Sequence, residues 1–115
     1  MMIYREVNFE LGMPAVSEIA KRLDTEIKVS KSYGVKVMKI IHGYGSSGKG
    51  GKIRTYLRRE LGDMLKKGSI KAVIHGEKFS IFDETTRSIL YLDKEIRGDK
   101  DLDRANNGIT IIVFR

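Results

Sequence analysis

The sequence predicts an α/β layer domain. Short apolar runs of strand length alternate with longer amphipathic runs, in the order strand, helix, strand, helix, strand, helix, strand. At 115 residues, 41% of them hydrophobic, the chain has material for one core and one domain. A glycine-rich stretch, Gly43 to Gly51, follows the second apolar run and precedes the second amphipathic one. The last connection is long enough for a crossover, so an all-parallel sheet and a small mixed sheet are both open.

Residues 5–11 alternate Val7, Phe9 and Leu11 with polar neighbours, as a half-buried strand does. Gly12-Met13-Pro14 closes it, and Pro14 suits a first helical turn, where its missing N–H costs nothing. Val16, Ile19, Ala20, Leu23 and Ile27 then fall on one helical face, and Gly34 is the expected left-handed cap. Val35 to Ile41 reads as the second strand, with Ile40-Ile41 apolar enough to be covered on both sides.

A second helix is expected over 52–67. Ile53, Tyr56, Leu57, Leu61, Met64 and Leu65 form its buried face, and Arg54, Arg58, Arg59, Lys66 and Lys67 its outer face. Residues 70–76 are the third strand; its ending, His75-Gly76, echoes His42-Gly43 with no glycine loop after it. Asp83, followed by Glu84-Thr85-Thr86, is an N-cap signal for a third helix with Ile89, Leu90, Leu92 and Ile96 inward. Asp99, Asp101 and Asp103 match half of a calcium loop, but Arg104 and Thr110 stand where that loop needs glycine and glutamate. Asn107-Gly108 marks a turn, and Ile109 to Phe114 is the closing strand.

Composition narrows the function. No cysteine is present, so disulfides and thiolate metal sites are excluded and a cytoplasmic setting is expected. Charge follows too soon after Met1-Met2-Ile3-Tyr4 for a signal peptide, and no run approaches the ~20 apolar residues of a membrane helix, so no membrane partner is expected. The net charge of +7 is unevenly spread: residues 28–78 hold thirteen Lys/Arg against only Glu60, Asp63 and Glu77. A basic region of this kind suits a polyanion, with affinity that falls as salt rises.

Strand, glycine loop and helix together aim backbone N–H groups and a helix N-terminus at an anion. Gly43 to Gly48-Lys49 spans the spacing of a P-loop, but Gly50 replaces the Ser or Thr that would hold magnesium. Gly43, Gly45 and Gly48 also match a dinucleotide fingerprint, with only Glu77 as a late candidate for the ribose acid. Neither pattern is complete. The phosphate-binding candidates are Gly43, Tyr44, Gly45, Gly48, Lys49, Gly51, Lys52 and Arg54, with Arg58 one turn further along the helix and Tyr44 as a base-stacking residue.

A third pattern is fuller. Ile40-Ile41-His42-Gly43-Tyr44-Gly45, with Ile53-Arg54 opening the next helix, resembles the Smr (small MutS-related) domain, whose signature is HGxGxG before a helix that begins Leu-Arg. Ser47 stands at the third glycine, Gly48 follows it, and the loop is longer than usual. Phe9-Glu10-Leu11-Gly12-Met13 is similar to the family's LDxHG segment; the acid is kept as Glu10, but Gly12 and Met13 replace the histidine and glycine. Gly108 to Val113 resembles the closing strand, and residues 79–106 look like an insertion.

The resemblance implies a two-layer α/β sandwich, βαβαβ(α)β, with a small mixed four-stranded sheet. It also implies DNA or RNA as partner, with endonuclease or nicking activity in some members. His42 is then a candidate general acid or base, and Glu10 a residue to orient it or to hold Mg²⁺ or Mn²⁺. The departures at Gly12 and Met13 leave a non-cleaving binding or adaptor module open. A small nucleotide-binding protein is a further alternative. His75 reads as an incidental strand end or a substitute for the missing histidine.

Overall fold

The computed structural model describes residues 2–10, 15–43 and 49–115. The elements are β1 (Tyr4–Asn8), α1 (Val16–Ser32), β2 (Val37–Ile41), α2 (Lys49–Lys66), β3 (Ala72–His75), a 3₁₀ turn (Gly76–Lys78), α3 (Glu84–Leu90), α4 (Lys94–Arg97) and β4 (Ile109–Val113). The sheet is mixed, in the order β1-β2-β4-β3. β1 and β2 run parallel around α1, and β4 lies antiparallel to both β2 and β3.

Side-chain alternation along β2 and β4 divides the core. Met38, Ile40 and Ile112 face Ile19, Leu23 and Ile27 of α1 and Ile53, Leu57 and Leu61 of α2. Val37, Ile109, Ile111 and Val113 face the other way. That second face is covered by residues 79–106 through Phe79, Ile89 and Ile96. The segment read as an insertion therefore forms a roof over a sheet face that would otherwise meet water.

Local signals hold where they are strong. Gly34 takes φ +73° after α1, and its N–H bonds Lys31 O. Asp83 caps α3 by accepting from the Thr86 N–H at 2.9 Å. The expected third helix is two short ones, because Asp93 starts a new cap by accepting from the Glu95 N–H. Val16, Ala20 and Leu65, expected inside, are exposed. A helix resting on one sheet face buries a narrow stripe, here Ile19, Leu23 and Ile27 on α1.

One buried charge ties the roof down. Lys39, on the middle of β2, is 1% exposed. Its Nζ lies 2.9 Å from Asp99 Oδ1, 2.5 Å from Asp101 Oδ2 and 3.3 Å from Glu6 Oε1. Tyr4 Oη donates to Asp99, and Asn106 Nδ2 donates to Asp101. Burial opposes the ammonium, but the hydrogen bonds to Asp101 and Asp99 outweigh it and hold Lys39 above its usual value. Two of the three aspartates that match half a calcium loop, Asp99 and Asp101, are thus partners of a lysine, and Asp103 instead accepts from the Ile81 N–H.

Candidate nucleic-acid interface

β2 ends at Ile41, and the chain turns away from the sheet through His42 and Gly43. Both backbone N–H groups donate to Gly108 O at 3.0 Å, which fixes the turn against the start of β4. Gly43 has φ +75°, a left-handed value that glycine adopts without strain.

The His42 ring is fully buried. Nδ1 lies 2.7 Å from Gly43 O and Nε2 lies 2.8 Å from Thr110 Oγ1. A carbonyl only accepts, so the geometry assigns the ring proton to Nδ1, and the Thr110 hydroxyl donates to Nε2. Arg58 Nε in turn donates to Thr110 Oγ1 at 3.0 Å. The remainder of the Arg58 guanidinium forks onto Glu77 at 3.0 and 2.8 Å and reaches Ile109 O. A continuous chain therefore runs Glu77, Arg58, Thr110, His42, Gly43.

Electrostatics follow from that chain. Burial pushes His42 down to about 4; the Gly43 bond resists, while the positive charges of Arg58 and Arg54 add to the fall. The imidazole is neutral near pH 7, and both of its nitrogens are occupied. The Arg58 hydrogen bonds hold the Glu77 carboxyl down to about 2. His75, at the end of β3, is exposed and pairs in register with Thr110; partial burial and Arg58 lower its pKa.

The expected site residues divide into four groups. Glu10 and His42-Gly43 come together: a Cβ built on Gly43 would stand 2.5 Å from Glu10 Oε2. Gly51, Lys52 and Arg54 line an open groove of about 590 Å³ along the start of α2. Arg58 does not extend a phosphate track as expected, because its donors are spent on Glu77, Thr110 and the backbone. Tyr44, Gly45, Gly48 and the side chain of Lys49 lie outside the described residues, as does the Leu11–Pro14 stretch.

Tyr56 is partly buried and packs against the core, as its place on the apolar face predicts, and Arg59 is exposed on the outer face. Both line the groove, with Thr55 and Val16, and the Arg59 guanidinium sits 5.5 Å over the Tyr56 ring. Their i, i+3 spacing on a helix was the available signal. Among the described residues, no carboxylate pairs with Lys52, Arg54 or Arg59. A divalent metal finds poor material here: among the described residues no three His, Cys, Asp or Glu side chains are placed to hold a metal ion, and the carboxylates that do converge, Glu6, Asp99 and Asp101, do so on the Lys39 ammonium.

A solved structure of the same architecture is the Smr domain of Thermus thermophilus MutS2. It is 15% identical, with 96% of this chain and 98% of that chain covered at a TM-score of 0.57. No protein-family model and no curated protein matches the chain. The likeness shows an Smr-like fold.

Proposed function

We propose that this Smr-like domain binds nucleic acid, with the strand backbone in the groove at the start of α2. The observation that carries this reading is the groove itself. Lys52, Arg54 and Arg59 border it, and Tyr56 lies within it under the Arg59 guanidinium. Cations along an open groove track phosphates without sequence preference, and an aromatic ring among them stacks on an unpaired base. Gly51 leaves room for a phosphate to approach the helix backbone. The preferred ligand is a single strand or a loop, because a base stacked on Tyr56 must first leave its own stack.

Phosphodiester cleavage is the second reading, favoured by the exposed Glu10 carboxylate beside the His42-Gly43 turn. His42 takes part in proton transfer only if Thr110 first releases Nε2, since burial and two hydrogen bonds hold it otherwise. A labelled RNA stem-loop and a labelled DNA duplex, incubated with Mg²⁺ or Mn²⁺ and run on native and denaturing gels, separate the readings. A salt-sensitive shift with no cleavage supports the binding module. Cleavage lost in Glu10→Gln or His42→Ala, with the shift retained, supports the nuclease. Absence of any shift at low salt overturns both.

A further inference from the structure

The opposite end of the sheet carries another group of cations. Lys36 precedes β2, Lys71 precedes β3 and Arg115 follows β4, so the strand directions bring all three to one end. Lys36 and His42 flank β2 at its two ends, about 20 Å apart at the rise of an extended chain. The three side chains line a cleft of about 190 Å³ distinct from the α2 groove. Its other wall comes from the roof segment: Ser88 and Ile89 of α3, with Tyr91 and Leu92 just after it. Tyr91 is 75% exposed at the rim, which leaves a ring face open to a ligand.

The chemistry of the lining is mixed in a specific way. Three cations suit a phosphate, and the Arg115 Nε, donating to Gly68 O, holds that guanidinium in place. Among the described residues no carboxylate pairs with Lys36, Lys71 or Arg115. Ile89, Leu92 and Val113 supply an apolar floor, and the Tyr91 phenol supplies a stacking face. The cleft is below the ~300 Å³ of an ordinary small-molecule pocket, so it has room for a phosphate and a sugar but not for a duplex.

We propose that this cleft binds a single nucleotide unit carrying a terminal phosphate, with Lys36, Lys71 and Arg115 on the phosphate and Tyr91 against the base. The ligand chemistry is a phosphate monoester on a nucleoside. Its source is a free mononucleotide or the phosphorylated end of a strand. The site exists because residues 79–106 lie against the sheet, which gives that segment a binding role beyond covering apolar surface.

Two-dimensional amide spectra test this on the whole chain, with inorganic phosphate, adenosine monophosphate, and a dinucleotide with and without a 5′-phosphate added in turn. The expected result is saturable shifts at Lys36, Lys71, Ser88 and Tyr91, with the mononucleotide at least ~10-fold tighter than inorganic phosphate, about 1.4 kcal/mol. Lys36→Gln/Lys71→Gln abolishes these shifts; both side chains are exposed, so the fold is kept. Tyr91→Ala removes the preference for nucleotide over phosphate. A response to the phosphorylated dinucleotide and none to its unphosphorylated form identifies a strand end; a response to the mononucleotide alone identifies a free nucleotide. No saturable shift at millimolar ligand, or shifts confined to Gly51–Arg59, overturns the proposal. The α2 groove is scored separately, by binding of an unphosphorylated oligonucleotide to the same Lys36→Gln/Lys71→Gln variant.

Discussion

The carboxylate of Glu10 occupies the space in which a side chain at Gly43 would begin. A Cβ there would meet Glu10 Oε2 at 2.5 Å and Cδ at 2.9 Å. The ends of β1 and β2 are thus pressed together at the turn that carries His42. Two costs oppose Gly43→Ala: the φ of +75° and the collision. Glu10 is an exposed, flexible side chain and can swing aside, so the backbone cost dominates. Gly43→Ala is expected to lose about 1–2 kcal/mol in urea denaturation. Glu10→Ala in the same background should recover less than half of that loss. Full recovery would show that the collision, not the backbone, governs the position.

Gly76 obeys a different constraint, although it also follows a histidine. A Cβ on Gly76 would overlap the Asn106 carbonyl oxygen and stand 2.8 Å from Ile109 O. Backbone atoms of the β4 approach cannot move singly, so Gly76→Ala should cost at least about 3 kcal/mol. Thermal melting or soluble yield reads this directly. A variant within 1 °C of wild type would contradict the packing of the 3₁₀ turn against β4.

The buried His42 makes stability depend on pH. Its folded value of about 4 lies below the ordinary ~6.5, so the unfolded chain takes up a proton first. Stability is therefore full above about pH 6.5, falls by roughly 3 kcal/mol as pH drops toward 4, and levels off below that for this group. Urea midpoints at pH 7 and pH 5 measure the fall, and His42→Asn should flatten it. Nitrogen chemical shifts should show the Nδ1-protonated neutral ring at pH 6. An imidazolium at that pH would mean that Thr110 does not hold Nε2 as described.

Lys39 binds the roof segment to the sheet. Lys39→Met keeps an unbranched apolar stem, one atom shorter, but leaves Asp99 and Asp101 without their cation, at an expected cost of roughly 3–5 kcal/mol. Hydrogen exchange should quicken in residues 94–106 before it does in α2. Asp101 adds a pH signature of its own. Burial opposes its charge, yet the bonds from Lys39 and Asn106 prevail and hold its pKa below the usual value. That contribution is complete above about pH 4 and is lost as pH falls through the depressed folded value, below the window of His42. A variant with unchanged exchange in the roof would show that the apolar contacts alone hold it.

Local chemistry was legible in the sequence, and long-range chemistry was not. Gly34, Asp83 and the Asn107-Gly108 turn act through neighbours in the chain, and the elements they delimit are present. The order β1-β2-β4-β3 depends on pairing between distant strands, which periodicity does not encode. Lys39 gave no sign of burial because its partners lie some sixty residues away. The alternating aspartates were the visible half of that interaction. Arg58 read as an outer-face cation because it lies off the Ile53-Leu57-Leu61 stripe, yet Thr110 and Glu77 draw it inward. The His42-Gly43 turn and Glu10 were visible as a pair only through the resemblance. Tyr56 is legible as a core contact and packs as one, but apolar periodicity does not show that the Arg59 guanidinium lies over its ring.

Binding of a strand along the start of α2 is read by fluorescence anisotropy of a labelled, unphosphorylated single strand, titrated with wild type and with Lys52→Gln/Arg54→Gln across a salt series. Wild type is expected to bind with affinity that falls as salt rises. In the double variant, affinity should fall by about tenfold or more at low salt, and the slope of log affinity against log salt should become shallower by about 1.4, for two lost phosphate contacts on a single strand. Equal affinity and equal slope for the two proteins would contradict the placement of the strand on α2. No binding by wild type at low salt would contradict the nucleic-acid reading altogether.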